Sequence, residues 1–466
     1  MAEKKTTVKK KASAASSDTT SNDTPAKPAS KSASSQSSLG CGRAVYIVDG
    51  ARTPFLKAKG KPGPFPAADL AVGCAMPLLA RQPFEASDID EVVVGCVMPG
   101  PDEANIARVI ALRLGCGKHV PAWTVQRNCA SGLQALDCAA MEIALGRAEI
   151  VLAGGVESMS HAPVLLNNDM VGWLGAWMGA RNWQQRIKAL LALRPHFFKP
   201  IIGLLRGLTD PVVGLSMGQT AENIAHRFGI TREQMDNFAA RSHQRLAAAQ
   251  DNDLLDEIEA VYDTRGHAFA EDDGLRRDSE PGKLAKLKPV FDRPFGKVTA
   301  GNSAQITDGS AMLILASEDA VKKYKLPVLG RIVDSHWAGL EPAQMGLGPV
   351  HAITPILQRN HFSLKDIDYW EINEAFAAQV LACLAAWQDK DYCSKELGLK
   401  ETLGELDQDK LNIDGGGVSL GHPVGASGAR IVLHLLKILE RNKAKRGVAS
   451  LCIGGGQGGA MLIERV

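Results

Sequence analysis

The chain has 466 residues, of which 45% are apolar and 22% are charged, and this balance is typical of a soluble globular protein. Its 53 basic and 51 acidic side chains nearly cancel, so the overall charge gives no reason to expect a nucleic-acid partner. No stretch approaches the ~20 consecutive apolar residues of a membrane-spanning helix. The length exceeds that of one ordinary core and predicts two or three packed domains.

Residues 1–41 form a Lys- and Ser-rich segment. Residues 1–39 hold ten Ser, five Thr and seven Lys, and they contain no aromatic side chain. Such a composition cannot bury enough apolar surface to offset the entropy of ordering, so we expect a disordered tail. A mitochondrial transit peptide is an alternative, but the segment lacks Arg and contains three acids, which argues against one. A flexible tether to a surface is a further alternative.

The nine cysteines show no pairing pattern. They form no CxxC motif and no Cys/His spacing that suits zinc, so we expect no metal site. No apolar run near the start resembles a secretory signal. Reduced thiols and a cytoplasmic location are therefore expected.

The folded body, which we expect to begin near Gly42 with a strand over 44–48, contains an internal duplication. Three short sequences recur in the same order at similar offsets, which chance does not explain. The pairs are residues 47–49 and 332–334, residues 88–90 and 366–368, and residues 130–132 and 426–428. Short apolar runs alternate with helical periods in both halves, and this alternation predicts an α/β fold with a mixed or parallel sheet.

The first half carries a long insertion. In the second half, the apolar run 448–453 and the run 460–463 are separated only by a Gly-rich turn and predict a hairpin. The matching runs of the first half, 150–155 and 311–314, are about 150 residues apart, and so long an excursion needs a function or a core of its own. The predicted domains are a first half (42–163 plus 290–318), an inserted domain (164–289) and a second half (325–466).

Cys129 precedes a predicted helix that includes Leu133. A cysteine at a helix N-terminus lies near backbone N–H groups and the positive end of the helix dipole. These favour the thiolate, so we expect a pKa below the ~8.5 of a free thiol. A buried residue at the start of a helix is the alternative interpretation.

Three further residues share the Gly-rich setting of Cys129 or its place in the repeat. His422 lies on a Gly-rich turn directly before the second copy of the repeated helix start. Cys452 ends a predicted strand before three glycines, which allow a ligand to approach the backbone. Asn373 follows a predicted strand. If the halves pack about a pseudo-twofold axis, these turns converge, and two cysteines with a histidine indicate covalent thioester chemistry.

Five motifs resemble those of the thiolases, the acetyl-CoA acetyltransferases and 3-ketoacyl-CoA thiolases. They are 128–132 (NCASG), 154–160 (GGVESMS), 373–376 (NEAF), 421–428 (GHPVGASG) and 452–456 (CIGGG). The resemblance covers residues 43–466. It implies a duplicated five-layer αβαβα fold with an inserted loop domain, and reversible acyl transfer between CoA thioesters with no bound cofactor.

The resemblance also implies a role for each candidate residue. Cys129 would carry the acyl group, and His422 would activate it. Cys452 would exchange a proton with the acetyl-CoA methyl group. Asn373 would hold a water that forms one oxyanion hole with His422, and the backbone N–H groups of Cys129 and Gly454 would form the other.

The inserted domain would hold CoA. Thr231 begins a capping-box pattern that predicts a helix through 237–239. The resemblance assigns CoA contacts to Arg276 and Ser303, and a basic side chain suits phosphates. A solvated loop arginine is the alternative for Arg276.

Residues 164–215 hold three tryptophans and six basic residues against two acids. They are interpreted as a lid or oligomer contact, or as a segment that lies on a membrane or docks a partner. The resemblance further suggests a homodimer or homotetramer, and a hetero-complex with a hydratase or dehydrogenase.

Two other functions are alternatives to thiolase activity. A decarboxylating ketoacyl synthase shares the fold but would lack the second cysteine, because decarboxylation generates the carbanion without a base. A non-catalytic CoA or lipid carrier in a fatty-acid oxidation complex would have lost Cys129, His422 or Cys452, and all three are present.

Overall fold

A computed structural model describes residues 42–466, so the disorder expected of 1–41 lies outside the described residues. The strands are β1 (Val45–Arg52), β2 (Leu56–Lys57), β3 (Glu91–Gly95), β4 (Ala122–Val125), β5 (Ile150–Ser158), β6 (Val164–Leu165), β7 (Ile201–Ile202), β8 (Val261–Tyr262), β9 (Ala268–Phe269), β10 (Thr307–Ser317), β11 (Gly330–Gly339), β12 (Tyr369–Ile372), β13 (Arg446–Ile453) and β14 (Gln457–Glu464). The helices are α1 (Ala67–Ala80), α2 (Ile106–Arg113), α3 (Ser131–Ala144), α4 (Asn168–Met178), α5 (Trp183–Ala192), α6 (Gly203–Gly207), α7 (Met217–Arg227), α8 (Arg232–Asp251), α9 (Pro281–Leu284), α10 (Glu318–Tyr324), α11 (Gly348–Arg359), α12 (Ala377–Gln388), α13 (Lys390–Lys395), α14 (Gly417–Leu420) and α15 (Ser427–Arg441). Among the described residues, no helix combines the length and apolar composition needed to cross a membrane.

The large sheet repeats one strand order on each side of its centre. From the centre outward, the first half runs β1, β10, β5, β3 and β4, and the second half runs β11, β14, β13 and β12. A parallel bridge from Trp370 to Leu411 occupies the place that β4 has in the first half. β1 and β11 meet antiparallel at the centre, where Tyr46 is paired with Arg331. The duplication is therefore confirmed in the topology.

The repeated sequences occupy equivalent positions in the two halves. β1 shifts register between Ile47 and Asp49, and β11 shifts register between Ile332 and Asp334. The predicted hairpin of the second half is also confirmed, since β13 and β14 pair antiparallel from Arg446 to Ile453.

Successive side chains along a strand pack into different apolar cores on the two faces of the sheet. In β5, Ile150 and Leu152 join an apolar core shared with α1 and α2, whereas Val151 and Ala153 join a central core shared with α3 and α15. In β14, Leu462 packs toward a core that contains residues of α11 and α12, and its neighbours in the chain pack toward the central core. This period-two pattern places a sheet half on each side of the α3/α15 layer, with a helical layer outside each.

The two central helices approach so closely that only glycine fits at their crossing. A Cβ on Gly132 would lie 2.8 Å from the carbonyl oxygen of Gly425, and a Cβ on Gly428 would lie 2.4 Å from the backbone nitrogen of Leu133. The starts of α3 and α15 therefore adjoin, and the turns before them, which carry Cys129 and His422, are brought to one place.

Between β5 and β10, the inserted segment contains four helices that are longer than five residues, namely α4, α5, α7 and α8. The capping box predicted at Thr231 is confirmed, because its side chain accepts from the Gln234 backbone at the start of α8. Ser242 of α8 donates to the buried Glu374 carboxylate of the second half at 2.6 Å. This hydrogen bond holds the inserted segment against the second half, next to Asn373. The domain boundaries given in the sequence analysis remain a prediction.

Candidate active site

The turn that carries Cys129 is held in one conformation from both sides. Asn128 has φ +44°, in the left-handed region that asparagine tolerates better than most residues. The Ser131 hydroxyl, in the first turn of α3, donates to the Asn128 carbonyl and accepts from the Arg127 backbone N–H, each at 2.8 Å. The Asn128 side-chain amide donates to the Gly454 carbonyl at 2.8 Å. The Cys129 turn is therefore fixed directly to the loop after Cys452.

The Cys129 sulfur accepts hydrogen bonds from the backbone N–H groups of Gly454 and of Cys129 itself, and both lower its pKa. Burial acts in the opposite direction and is the larger effect, so the pKa is raised to about 11. The expectation of a thiolate favoured by the helix start is therefore wrong for the site without substrate. The thiol needs a base when it attacks.

Cys452 lies at the end of β13 and is 1% exposed. Burial raises the pKa of its thiol well above the usual range, and negative charge on Cys129 raises it further. The hydrogen bond from Asn128 to the Gly454 carbonyl brings the Cys129 turn against the loop that follows Cys452, so both thiols belong to one site. Each thiol is a proton donor at neutral pH until another group removes its proton.

His422 follows α14 on a turn that requires glycine. Gly421 has φ +107°, and a Cβ there would lie 2.2 Å from the Thr307 side chain. The His422 backbone N–H donates to the Gln305 carbonyl at 3.1 Å, which joins this turn to the segment before β10. The imidazole is 7% exposed.

The contacts of His422 favour one tautomer. Its Nδ1 lies 2.6 Å from the Ser427 hydroxyl oxygen, and that hydroxyl donates its single hydrogen to the Pro423 carbonyl at 3.0 Å. We therefore assign the hydrogen to Nδ1, which donates to Ser427, and the lone pair to Nε2, which faces the Asn373 side-chain nitrogen. Burial and the nearby Arg430 charge lower the pKa of His422 to about 4, so the ring is neutral and able to accept a proton.

Asn373 adjoins both groups. Its backbone N–H donates to the Ser450 carbonyl of β13 at 2.9 Å, two residues before Cys452. Its side-chain nitrogen lies 3.4 Å from Nε2 of His422. Its side-chain oxygen is buried and has no hydrogen-bond partner within residues 42–466, which is the environment of a group that binds a water or a ligand atom.

Two buried carboxylates were not assigned a role from the sequence. Glu157 accepts from the backbone N–H groups of Val97, Met98 and Gly425. Burial raises its pKa to about 7. It ties the first sheet half to the turn that bears His422. The available sequence signal was a lone acid directly after the apolar run 150–156, which predicts a strand, since a carboxylate is rarely buried without a specific partner.

Glu374 is the second such carboxylate. It accepts from the hydroxyl of Ser242, the side-chain amide of Asn412 and the backbone N–H of Val418. The first of these comes from the inserted segment and the other two from the second half. Glu374 directly follows Asn373 in the chain. Its hydrogen bonds therefore hold the Gly-rich turn before His422 against Asn373.

Of the two residues predicted to contact CoA, Arg276 lies in the inserted segment, and Ser303 lies in the segment before β10, where it forms a bridge with Phe376. Arg276 is half-buried, and its positive charge lowers the pKa of both Lys57 and His243. A Cβ at Gly274, two residues earlier, would lie 2.8 Å from the Ser419 carbonyl oxygen, so this loop abuts the His422 turn. Ser303 is buried, and its hydroxyl donates to the Thr299 carbonyl at 2.7 Å.

The family of the chain follows from comparison with known proteins. Residues 45–319 match the model of the thiolase N-terminal domain, and residues 326–465 match that of the thiolase C-terminal domain. The chain belongs to the thiolase family. This thiolase is 40% identical over 429 residues to a beta-ketoadipyl-CoA thiolase of Acinetobacter baylyi, covering 91% of this chain and 99% of that relative. It is 37% identical over 426 residues to a 3-ketoacyl-CoA thiolase of Yersinia pestis, covering 91% and 97%.

Solved structures confirm the expected fold. The crystal structure of an acetyl-CoA acetyltransferase of Bacillus anthracis matches with a TM-score of 0.78 and 38% identity, covering 91% of this thiolase and all of that chain. Human mitochondrial 3-ketoacyl-CoA thiolase in complex with CoA matches with a TM-score of 0.78 and 37% identity, covering 92% and 99%. The thiolase is thus an acyltransferase of CoA thioesters with the duplicated five-layer α/β fold.

Proposed function

We propose that this thiolase cleaves and forms 3-ketoacyl-CoA through an acyl group carried on Cys129. The observation that carries the proposal is the 2.8 Å hydrogen bond from the Asn128 side-chain amide to the Gly454 carbonyl, which joins the Cys129 turn to the loop that follows Cys452. It supports one site that contains a nucleophilic thiol, a second thiol and the backbone N–H groups of Cys129 and Gly454. Two relatives are named 3-ketoacyl-CoA thiolases, which supports this substrate class.

In the cleavage direction, Nε2 of His422 takes the Cys129 proton as the sulfur attacks the 3-keto carbon. The bond between the second and third carbons of the substrate breaks, and its electron pair leaves on the acetyl-CoA enolate. Cys452 protonates that carbanion and becomes a thiolate. Free CoA then attacks the Cys129 thioester and releases the shortened acyl-CoA, and its thiol proton restores the starting protonation state. Condensation is the reverse, since exchange of one thioester for another is nearly balanced in free energy.

Two oxygen anions develop during these steps. We assign the tetrahedral oxygen formed at Cys129 to the backbone N–H groups of Cys129 and Gly454. We assign the enolate oxygen to His422 and a water held by Asn373, which has the unpartnered oxygen described above. One preplaced donor of this kind is worth about 10²–10³ in rate.

The CoA moiety is assigned to the inserted side. The positive charge of Arg276 acts on Lys57 and lowers its pKa, and basic side chains suit a phosphate group. Ser303 would contribute its oxygen as an acceptor, because its hydrogen is already donated to Thr299. CoA thioesters enter as substrates, and no bound cofactor is required by the proposed steps.

The alternative functions fit the site less well. A decarboxylating ketoacyl synthase needs no second thiol, yet Cys452 is fixed next to the Cys129 turn. A non-catalytic carrier needs no base, yet burial keeps His422 neutral and able to accept a proton. Homodimer or homotetramer formation, a hetero-complex with a hydratase or dehydrogenase, and a cytoplasmic location remain predictions.

The test is the rate of CoA-dependent thiolysis across 3-ketoacyl-CoAs of about 4 to 16 carbons. We expect activity in the wild type and none above background in Cys129→Ala, with a chain-length optimum that identifies the acyl class. Normal activity of Cys129→Ala would contradict the proposal. So would decarboxylation of malonyl-CoA faster than thiolysis.

A further inference from the structure

Helices α4 and α5 form a hairpin that is almost uncovered. Each helix buries a single side chain, Met170 in α4 and Ala189 in α5. The two helices are joined by the Trp173 indole N–H, which donates to the Ala189 carbonyl at 2.8 Å. Isolated helices of about ten residues are marginal in water, and within residues 42–466 this hairpin has little apolar packing to stabilise it.

The uncovered surface is strongly apolar. Three side chains of the hairpin are more than two-thirds exposed, namely Met178 at 81%, Trp183 at 70% and Leu191 at 71%. The others that are exposed between 164 and 212 are Val164, Leu165, Leu166, Val171, Trp177, Ile187, Leu190, Phe198, Ile202, Leu205 and Val212. In α5 they follow the helical period 183, 187, 190 and 191, so they form one stripe. Apolar patches this large mark contact surfaces.

The same segment is cationic. The basic residues are Arg181, Arg186, Lys188, Arg194, Lys199 and Arg206. Within residues 42–466, none of these six forms an ion pair with an acid, as the ion pairs of the structure involve other residues. Of the two acids in 164–215, Asp169 lies 3.5 Å from His196 and Asp210 is buried. Exposed cations therefore flank the apolar stripe.

We propose that the segment 164–212 docks this thiolase on an anionic lipid surface. The apolar stripe would enter the boundary between headgroups and acyl chains, and the flanking cations would contact the headgroups. An apolar face with tryptophan, flanked by Lys and Arg, is the pattern of helices that lie in this interface. A second copy of the hairpin is disfavoured as the occupant, because two symmetric faces would bring like charges together.

The test is co-sedimentation of the full chain with vesicles of phosphatidylcholine alone or with about one-third phosphatidylglycerol. We expect binding only to the anionic vesicles and its loss at high salt. The triple variant Trp183→Ser, Leu190→Ser, Leu191→Ser should lose binding. The matched control Leu145→Ser, Phe295→Ser, which alters exposed apolar residues elsewhere (64% and 90% exposed), should keep it. Soluble thiolysis should be unchanged in both, so a failure here is separable from a failure of the proposed activity.

Charge-reversal variants test the proposal independently in the same vesicle assay. Arg186→Glu with Lys188→Glu should lower vesicle binding at least about tenfold, since one cation near an anionic surface contributes about a factor of five. The control Lys365→Glu with Lys400→Glu should bind like the wild type. Equal binding of all variants, or no binding to anionic vesicles, would overturn the proposal. If the wild type does not bind vesicles and the triple variant has a different oligomeric mass, the surface is a contact with a second copy. If the wild type does not bind vesicles and the triple variant has an altered chain-length preference, the segment is a lid.

Discussion

The side-chain amide of Asn128 donates a 2.8 Å hydrogen bond to the carbonyl oxygen of Gly454, a residue 326 positions later in the chain. The bond joins the turn of one half to the corresponding loop of the other. In the same contact, the Gly454 N–H reaches the Cys129 sulfur. The duplicated fold thus delivers one thiol from each half to a shared site, and the chemistry depends on that geometry.

The first prediction separates the two thiols. Cys452→Ala should still accept an acyl group on Cys129 but should lose condensation by about 10²–10⁴, which is the usual contribution of a positioned acid or base. Single-turnover acylation and steady-state condensation measure the two steps separately. Cys74→Ala, which removes another buried cysteine, should leave both rates near those of the wild type. An equal loss of both steps in Cys452→Ala would contradict the assignment.

The second prediction concerns the orientation of His422. Ser427→Ala removes the hydroxyl that accepts from Nδ1, so the ring is free to adopt the wrong tautomer. We expect kcat to fall about tenfold or more, with a smaller change in KM, because positioning is lost rather than substrate binding. Ser427→Thr retains the hydroxyl and should restore most of the rate. A purely structural role would be indicated if the threonine variant were as slow as the alanine variant.

The third prediction is a pH dependence of stability. His434 is buried between Glu257 and Asp414, at 3.0 and 3.1 Å, and these carboxylates raise its pKa to about 10. Because this pKa lies above the usual histidine value of 6.5, the stabilisation by charged His434 is fully present below pH 6.5 and is lost as the pH rises through about 10. His434→Gln should cost about 3–5 kcal/mol at pH 6 and less at pH 10. Denaturant unfolding at both pH values measures this.

The control for that series is an exposed histidine pair. His267 lies 2.8 Å from Asp263 at the surface, where solvent screens the interaction. His267→Gln should leave the free energy of unfolding nearly unchanged at both pH values. A His434→Gln deficit that did not depend on pH would contradict a charged role for His434.

The fourth prediction concerns the crossing of the central helices. Gly428→Ala places a methyl group 2.4 Å from the Leu133 backbone nitrogen, so α3 and α15 must separate, and we expect a loss of about 1–3 kcal/mol. Gly175→Ala in α4 is the matched substitution, because its Cβ would meet no atom within 4 Å. There the helix propensity of alanine should stabilise by about 0.5–1 kcal/mol. Equal effects of the two substitutions would show that the crossing is not tightly packed.

The sequence predicted those features that depend on local pattern and repetition. The β13–β14 hairpin, the Thr231 capping box and the duplication are visible as alternation, spacing and repeated triplets, and all three are confirmed. The pKa of Cys129 was predicted in the wrong direction, because the helix start is visible in the sequence and the degree of burial is not.

Features that depend on long-range contacts could not be predicted from the sequence. Glu157 and Glu374 are held by backbone groups far away in the chain, and nothing in their neighbourhood reveals those partners. The tautomer of His422 required the Ser427 and Pro423 distances. The exposed hairpin was recognisable only as a basic segment with tryptophans, and its uncovered apolar stripe became evident from the packing.

The most direct test of the central claim is mass spectrometry of the protein quenched in acid after brief incubation with a 3-ketoacyl-CoA in the absence of free CoA. Peptide mapping should place the shortened acyl group on Cys129 in both the wild type and Cys74→Ala, and no acyl group should be found on Cys129→Ala. An acyl mass on another cysteine, or turnover without any acylated peptide, would contradict the account.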